Sequence, residues 1–271
     1  KNFSIPGLTS FILPTDWHGL SNGKLVYDES NKQTWEIGAN VARSYIAAPF
    51  KVSSVTQGDI EIKMYLLSDD QSANENRAKT FAKIIDILQN AFGNYPYNTF
   101  ALAEIPDFTT DYFGASSEQG FIVAESRNFN GDDGVPLFAH EAGHSWWGNL
   151  FNCIGDGSSL CSEALAQFGA ILAIEKLYDK NVLNDFMDVS VPSYSDYQSA
   201  RGYFAMLRSN VDEPLYNLNS SSWKVHRLMD SKGMWFWQML RAELGDELMF
   251  KILKELSQKN EEMTLEEVQL F

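Results

Sequence analysis

Two histidines four residues apart, His140 and His144, enclose the acidic residue Glu141. On a helix, side chains at this spacing project from one face, so both imidazoles can bind the same small cation. A catalytic zinc site needs a third protein ligand and an open fourth position for water. After eighteen intervening residues, Glu163 supplies the third candidate ligand. The pattern predicts a site for one Zn²⁺, with Glu141 placed to act as general base on the bound water.

The alternative interpretation is that these are ordinary core histidines. The chain has four histidines, and the other two are His18 and His226. Two of the four fall in a metal-binding register around a glutamate, which favours the metal site over the alternative. His18 has no such neighbours, and we expect it to be a packed or surface histidine.

The elements that must position the ligands are two helices. Residues 135–139 are apolar, and the periodic stretch from Glu163 to Lys176 is apolar as well. We therefore predict buried helices over about 136–149 and 163–178. Further helices are predicted over 75–92, 198–209, 222–243, 246–258 and from 265 onwards, the last with a capping box of Thr264 and Glu267.

Strand patterns lie mostly in the first half of the chain. Short apolar or alternating runs predict strands over Leu25–Tyr27, Arg43–Ala47, Ile60–Met64, Phe100–Ile105 and Gly120–Glu125. Strands followed by helices indicate an α+β fold in which a strand-rich lobe packs on a helical lobe. We expect a metal site on the first helices to face the cleft between these lobes.

Composition and charge exclude several classes of protein. Of the 271 residues, 44% are hydrophobic and 13% are aromatic, which is enough for a large core. The net charge of −15 and a pI near 4.6 argue against a nucleic-acid partner. The acidic balance mildly favours cationic ligands such as the free amino end of a peptide, although an acidic solvated surface is the commoner cause. No apolar run approaches the roughly eighteen residues of a membrane span, so we expect no direct membrane insertion by this segment.

Two cysteines, Cys153 and Cys161, lie between His144 and Glu163. They are candidates for a loop-closing disulfide, for two free thiols or for soft metal ligands. Metal binding by the cysteines is disfavoured, because the two histidines and Glu163 already suffice as ligands. Two cysteines do not identify the compartment, so the sequence leaves the localisation open.

The spacing of the histidines and the glutamate is that of the gluzincin metallopeptidases, and its surroundings resemble the aminopeptidase N family, which includes the bifunctional leukotriene hydrolases. The family's zinc helix typically reads HExxHxWFGN, and residues 140–149 read HEAGHSWWGN. Its next helix typically reads WLNEGFA, and residues 160–166 read LCSEALA. An upstream family motif spelled GxMEN corresponds to ASSEQ at residues 115–119. The later stretch that begins with Lys232-Gly233 also resembles the family's helix after the zinc site.

The resemblance covers roughly residues 55–271. It implies a thermolysin-like catalytic domain over residues 51–271, truncated at its C-terminus. Residues 1–50 resemble the end of the family's β-rich N-terminal domain. The chain is therefore interpreted as a piece of a longer protein, and the remainder of a larger parent chain is an expected partner.

By the same resemblance, Glu118 binds the free α-ammonium group of the substrate and restricts cleavage to the first peptide bond, with Gln119 beside it. A carboxylate in a partly dry cleft discriminates strongly in favour of such a cation. The alternative is an ordinary loop carboxylate ahead of a strand. Ser116, Ser117 and Gln119 depart from the family's motif, and both interpretations stay open.

Asp230 departs from the family at a position on which the chemistry depends. There the family carries a tyrosine, two residues before the Lys-Gly pair, whose phenol donates a hydrogen bond to the oxyanion of the tetrahedral intermediate. A carboxylate cannot donate and repels developing negative charge. His226, one helical turn earlier, is a candidate replacement donor, and a purely structural His–Asp contact is its alternative. Further candidate donors are Tyr194, Tyr197, Tyr203 and Tyr216.

The sequence therefore predicts zinc-dependent hydrolysis of peptide bonds, with release of N-terminal residues from a peptide substrate. One rival is an endopeptidase or an epoxide-type hydrolase in which Glu118 reads no amino terminus. A rival of another class is a zinc-binding module with weak or no activity that serves as a binding or structural domain. Asp230 motivates this second rival.

Overall fold

The computed structural model has two compact units, Lys1–Lys83 with Tyr97–Gly131 and Ile84–Pro96 with Asp132–Phe271. The residues that it describes are 5–29, 31–38, 41, 43–68, 70–97, 99–107, 114–129, 134–187, 203, 207, 212–218, 227–259 and 261–271. Strands dominate the first unit and helices the second, which confirms the α+β class. The domain boundary near residue 50 stays a prediction.

The first part of the first unit consists of short antiparallel strands. They are β1 (Gly7–Ile12), β2 (His18–Ser21), β3 (Lys24–Glu29), β4 (Lys32–Ile37) and β5 (Tyr45–Ala48). One sheet has the order β1-β4-β3, and β2 pairs with β5. Trp35 and Ile37 of β4 lie in a buried cluster with Phe50, Tyr65 and Phe121.

A five-stranded sheet forms the rest of the first unit. Its strands are β6 (Lys51–Gln57), β7 (Ile60–Leu66), β8 (Thr99–Ile105), β9 (Ala115–Glu118) and β10 (Phe121–Glu125). The order is β6-β7-β8-β10-β9, in which β7, β8 and β10 are parallel and both edge strands are antiparallel to their neighbours. β9 is therefore an edge strand, and a tight turn connects it to β10.

Helix α1 (Gln71–Phe92) connects β7 to β8, as a parallel pair requires. Residues 71–83 of the helix fall in the first unit and residues 84–92 in the second. Gly93 ends the helix with φ +98, a left-handed conformation that glycine adopts without strain.

The second unit is built around one buried helix. Its helices are α2 (Gly134–Gly143), α3 (Glu163–Leu177), α4 (Lys180–Met187), α5 (Met234–Leu244), α6 (Asp246–Ser257) and α7 (Leu265–Leu270), with a π-helix over Met229–Gly233 before α5. A short parallel pair joins β11 (Cys153–Ile154) to β12 (Met263–Thr264). α3 is buried along residues 164–174, as expected of a helix that is apolar on every side. No helix in the described ranges combines the length and the apolar character needed to cross a bilayer.

Most predicted elements are found within a few residues of their expected bounds. The five predicted strands correspond to β3, β5, β7, β8 and β10, and the capping box of Thr264 and Glu267 is confirmed. The predicted helix over 136–149 is shorter than expected, because the α-helix ends at Gly143 and turns follow it. Of the predicted helix over 198–209, the described residues Tyr203 and Leu207 are helical.

Candidate metal centre

The predicted ligands converge on one point. The Nε2 atoms of His140 and His144 are 3.2 Å apart, and each lies 3.6 Å from Oε2 of Glu163. Zinc–ligand distances of about 2.0–2.2 Å at tetrahedral angles place two ligand atoms roughly 3.3 Å apart. Two imidazole nitrogens and one carboxylate oxygen are also donors that suit zinc. The three residues therefore fit a single Zn²⁺ and could hold one metal ion.

His144 keeps its place on the helix face although it follows the last residue of α2. Its backbone N–H donates to the carbonyl of His140 at 3.3 Å, which preserves the helical register. The chain then turns at Gly148, whose φ of +108 a residue with a side chain would adopt only with strain. Trp146 and Trp147 of this turn are fully buried and fix the end of the helix in the core.

Glycines allow the neighbouring helices to approach α3 around the third ligand. A Cβ atom on Gly143 would lie 2.9 Å from Cα of Ala166, so α2 and α3 touch through their backbones. A Cβ atom on Gly233 of the π-helix would lie 2.6 Å from Cβ of Ala164. Both contacts are within one turn of Glu163, which is therefore held by packing on two sides.

Outer hydrogen bonds orient both imidazoles. Nδ1 of His140 lies 2.8 Å from Oε1 of Gln167, and Nδ1 of His144 lies 2.9 Å from the carbonyl of Trp147. Because both partners are acceptors, each Nδ1 carries the proton and each Nε2 offers its lone pair to a metal ion. Gln167 was not singled out in the sequence, although its position one turn after Glu163 places it on the same face of α3.

The electrostatic surroundings favour a cation at the point where the ligands meet. Burial is the largest single effect and lowers the pKa of His140, whereas the hydrogen bond to Glu163 raises it. The charges of Asp230 and Glu141 act in the same direction, and the pKa of His140 rises to about 10. The pKa of His144 is raised in the same way against burial, and the two histidines lower the pKa of Glu163 against burial. Protons on the rings therefore compete with a metal ion, and we expect metal binding to release them.

Glu141 lies in the same unit as the ligands and is buried, with 8% of its surface exposed. Its charge acts on both histidines. Since it neighbours His140 on α2 and is rotated about 100° from it around the helix axis, its carboxylate is available to a group bound beside the ligands.

Asp230 lies on the π-helix and was predicted to occupy the position of the family's tyrosine. Its Oδ1 is buried and has no hydrogen-bond partner in the part of the chain that the structure describes. Burial raises the pKa of Asp230 to about 7, the charge of His140 opposes this shift, and the charge of Glu163 adds to it. Near neutral pH a fraction of these carboxyl groups is therefore protonated, which the sequence argument did not anticipate.

Glu118 and Gln119, the predicted substrate-binding residues, lie in the first unit at the end of β9. Oε2 of Glu118 accepts a hydrogen bond of 2.6 Å from Oγ of Ser44. The backbone carbonyl of Gln119 accepts one from Asn22, and the same Asn22 side chain accepts from the backbone N–H of Ser44. The glutamate therefore ends a paired strand and is oriented by its hydrogen bonds, where the alternative interpretation expected a loop.

The structure describes two of the other candidate oxyanion donors. His226, Tyr194 and Tyr197 lie outside the described residues. Tyr216 is half exposed, and its hydroxyl donates to Oε1 of Glu266 at 2.6 Å. Tyr203 lies beneath the ammonium group of Lys232, 5.8 Å from the ring centre.

Cys153 and Cys161 form a disulfide, which decides among the three alternatives for these residues. The bond closes the loop that precedes Glu163. The same loop is fixed at Leu160, whose carbonyl accepts a hydrogen bond of 2.8 Å from the indole of Trp237. Two independent anchors therefore position the start of α3.

Two sequence relatives of low identity carry the name of an aminopeptidase. Endoplasmic reticulum aminopeptidase 2 of Bos taurus is 22% identical over 227 residues, which cover 77% of this chain and 22% of the relative. The Homo sapiens protein of the same name is 23% identical over 155 residues, or 53% of this chain and 16% of the relative. The chain thus spans about a fifth of the length of these relatives. No protein-family model matches the chain.

Solved structures share the fold over almost the whole chain. A mutant M1 zinc metallopeptidase from Deinococcus radiodurans, bound to a Tyr-Ser-Ala substrate, matches with a TM-score of 0.69 and 15% identity, covering 96% of this chain and 58% of its own. Native yeast LTA4 hydrolase matches with a TM-score of 0.67 and 16% identity, covering 97% and 42%. Together with the motif, these matches confirm that the chain resembles the M1 zinc metallopeptidases, the aminopeptidase N-like gluzincins, in fold and in sequence.

Proposed function

We propose that this chain is the zinc-dependent peptidase domain of an aminopeptidase, which releases N-terminal residues from peptides. One observation carries the proposal. The Nε2 atoms of His140 and His144 and a carboxylate oxygen of Glu163 meet within metal-binding distance, and both imidazoles are held from behind by acceptors. Such outer partners orient metal-ligating histidines and fix which ring nitrogen is available to the ion.

The proposed cofactor is one Zn²⁺ ion held by His140, His144 and Glu163. When bound, zinc supplies Lewis acidity that polarises a peptide carbonyl and lowers the pKa of water. The side chain of Gln167 and the carbonyl of Trp147 keep the two rings in the orientation that the ion requires. The fourth position is left to water and substrate.

Glu141 is the proposed general base. It takes a proton from water as the water adds to the carbonyl carbon of the scissile peptide bond. It then gives this proton to the leaving amine as the C–N bond breaks, so the carboxylate is regenerated in each cycle. Its burial supports this role, because a carboxylate shielded from bulk water exchanges its proton with the reacting groups and not with solvent.

Glu118 and Gln119 are the proposed residues for recognition of the substrate's amino terminus. A carboxylate binds an ammonium group through a charge-assisted hydrogen bond and rejects a blocked, neutral terminus. The hydrogen bond from Ser44 supports a fixed orientation for Glu118. The position of β9 at the edge of the sheet formed by the described strands supports the proposal further, because an extended peptide can add to such an edge.

The experiment compares peptides with free and blocked amino termini. The zinc-loaded chain should hydrolyse the free peptide and spare the blocked one, and a chelator should abolish hydrolysis. Glu141→Gln should bind zinc normally and lose turnover, whereas Glu255→Gln, an exposed carboxylate on α6, should behave as the wild type. Equal hydrolysis of both peptides would favour the endopeptidase alternative.

A second candidate is a zinc-binding module with weak or no activity, and Asp230 is the observation that favours it. Its carboxylate lies at the position where the resemblance to the family implies a hydrogen-bond donor. Loss of one such donor lowers the reaction rate about a hundred- to a thousandfold. We also propose His226 as the replacement donor. Full zinc occupancy without hydrolysis of a broad peptide library would favour the module, and normal activity that His226→Ala abolishes would favour the replacement.

A further inference from the structure

Asp230 has a buried acceptor atom to which no described residue donates a hydrogen bond. Its Oδ1 is sealed from solvent without a hydrogen-bond partner among the described residues. Leaving a buried carboxylate oxygen unpaired is costly, so an ion, a water molecule or a ligand is expected to complete such a group. Asp230 also lies in a π-helical segment, a backbone form that is frequent at functional sites.

The charge of this carboxylate acts on the candidate metal ligands. Together with the charge of Glu141, it raises the pKa of His140. It also acts on His144 and on Glu163. Asp230 is nevertheless not one of the group of three residues whose ligand atoms lie within 4.8 Å of one another. Asp230 therefore influences the ligands electrostatically without being one of the residues that could hold the same metal ion.

The π-helix that carries Asp230 is fixed against α3. Gly233 approaches Ala164, the residue after the third ligand, so closely that a Cβ atom would not fit. The ammonium group of Lys232 binds a carboxylate oxygen of Asp212 at 2.9 Å and the carbonyl of Glu213 at 2.7 Å. The backbone that carries Asp230 is therefore fixed by packing next to the third ligand.

We propose that Asp230 is an outer carboxylate of the metal centre, which strengthens the binding of a divalent cation and weakens that cation as a Lewis acid. The inference rests on the proposed function, since it requires a metal ion at His140, His144 and Glu163. A negative charge close to a bound cation stabilises it by Coulomb attraction. The same negative charge reduces the polarisation of a carbonyl oxygen by the cation and repels the oxyanion of the tetrahedral intermediate. Zinc affinity should therefore increase while the turnover rate decreases.

The test measures zinc affinity without reference to activity. At pH 8, competition with a chelating dye should show that Asp230→Asn binds Zn²⁺ about tenfold more weakly than the wild type, since outer partners of a metal site contribute roughly ten- to a hundredfold. Asp86→Asn, which removes an exposed carboxylate of α1, is the matched control and should leave the affinity unchanged.

A second readout separates an electrostatic role from structural damage. With zinc at saturation, Asp230→Asn should hydrolyse peptide faster than the wild type, because the opposing charge is gone. Damage to the fold would lower affinity and turnover together, whereas the proposed role moves them in opposite directions.

Three outcomes would overturn the inference. Unchanged zinc affinity in Asp230→Asn would refute it and leave the proposed function intact, whereas absence of zinc binding by the wild type would refute both. If Asp230→Asn does not fold, Asp230→Ser is measured in its place. Failure of both neutral variants to fold would assign Asp230 a structural role and contradict the proposal.

Discussion

The metal centre is bordered by two regions that differ in how completely their polar groups are paired. On the α2–α3 side, Nδ1 of each histidine has an acceptor. The acceptor of His140 is Gln167, and the acceptor of His144 is the carbonyl of Trp147. On the side of the π-helix, Oδ1 of Asp230 is buried and has no partner among the described residues. The first region is complete as a metal-binding scaffold, whereas in the second no described residue donates a hydrogen bond to Oδ1 of Asp230.

The difference separates binding of a metal ion from its use in catalysis. The α2–α3 region requires only local helix geometry and close packing, and it is preorganised whatever substrate binds. The π-helix region carries Asp230, the residue for which the resemblance to the family implies a hydrogen-bond donor. Variants in the first region should therefore change metal affinity, and variants in the second should change turnover or the balance between the two.

The largest expected effect is the loss of a metal ligand in the first region. Structural zinc sites with four ligands bind with about 10–16 kcal/mol, or roughly 3 kcal/mol per ligand. Glu163→Gln should therefore weaken zinc binding by more than about a hundredfold. Dialysis against a zinc buffer followed by metal analysis measures this loss, with Glu255→Gln as the control. Retention of zinc by Glu163→Gln would mean that another residue supplies the third ligand.

A substitution in the second region should raise activity. Asp230→Tyr introduces the hydroxyl donor that the resemblance to the family implies. It also removes the negative charge that would repel the oxyanion. Since one oxyanion donor is worth about a hundred- to a thousandfold and the phenol must fit a site shaped for aspartate, we expect a rise of kcat of about ten- to a hundredfold. Steady-state kinetics on a free peptide checks this. A fall of kcat with zinc still bound would show that Asp230 contributes to turnover in a way a donor cannot replace.

The two regions should also act together on the stability of the protein without metal. The raised pKa of His140 contributes stability that is complete below pH 6.5 and is lost as the pH rises through about 10. The raised pKa of Asp230 contributes stability that is complete below pH 3.8 and is lost as the pH rises through about 7.

Chelator-treated protein should therefore become less stable from pH 6 to pH 9, by an amount on the order of 4 kcal/mol. Urea unfolding at both pH values measures the change. Asp230→Asn should show a smaller loss, because only the part from the histidines remains. A rise in stability over this range would contradict the assigned directions of the pKa shifts.

A smaller effect is expected from an outer partner in the first region. Gln167→Leu keeps the volume of a buried side chain but leaves Nδ1–H of His140 without its acceptor, so zinc affinity should fall about tenfold. Gln167→Glu supplies a carboxylate acceptor and should bind zinc at least as tightly as the wild type. Dye competition measures both variants. Equal weakening by both would show that packing, and not the acceptor, is what Gln167 provides.

The ligand set could be predicted because its geometry is local. Helical spacing alone places His140 and His144 on one face, and an apolar stretch that begins at Glu163 predicts the following helix. Gln167 could have been found by the same argument, since it lies one turn after Glu163. Its role depends, however, on the distance between its amide oxygen and Nδ1 of His140 on another helix. A glutamine does not belong to any sequence motif that would predict this contact.

Features that depend on contacts between distant residues could not be predicted. The residues of β9 show no apolar alternation. They form a strand because they pair with β10 in the antiparallel direction. The hydrogen bond between Ser44 and Glu118 joins residues 74 positions apart. Likewise, the π-helix lies within the single helix predicted over 222–243, because a π-helix is not distinguished from an α-helix by hydrophobic periodicity.

The smallest expected effect tests the packing that supports the first region. Gly143→Ala gains about 1 kcal/mol of helix propensity, but its new Cβ would lie 2.9 Å from a backbone atom of Ala166, and such overpacking costs about 1–3 kcal/mol. We expect a net destabilisation of about 1 kcal/mol, together with weaker zinc binding, because α2 must move away from α3 and carry the two histidines with it.

Gly169→Ala is the matched comparison on α3. There a new Cβ would meet Cδ2 of Leu88 at 3.0 Å, the end of a flexible side chain that can adjust by rotation. This variant should keep its zinc affinity and lose less stability than Gly143→Ala. Urea unfolding and dye competition on both variants separate the effects. If Gly143→Ala bound zinc as well as Gly169→Ala does, close backbone contact between α2 and α3 would not be what holds Glu163 at bonding distance from the two imidazoles.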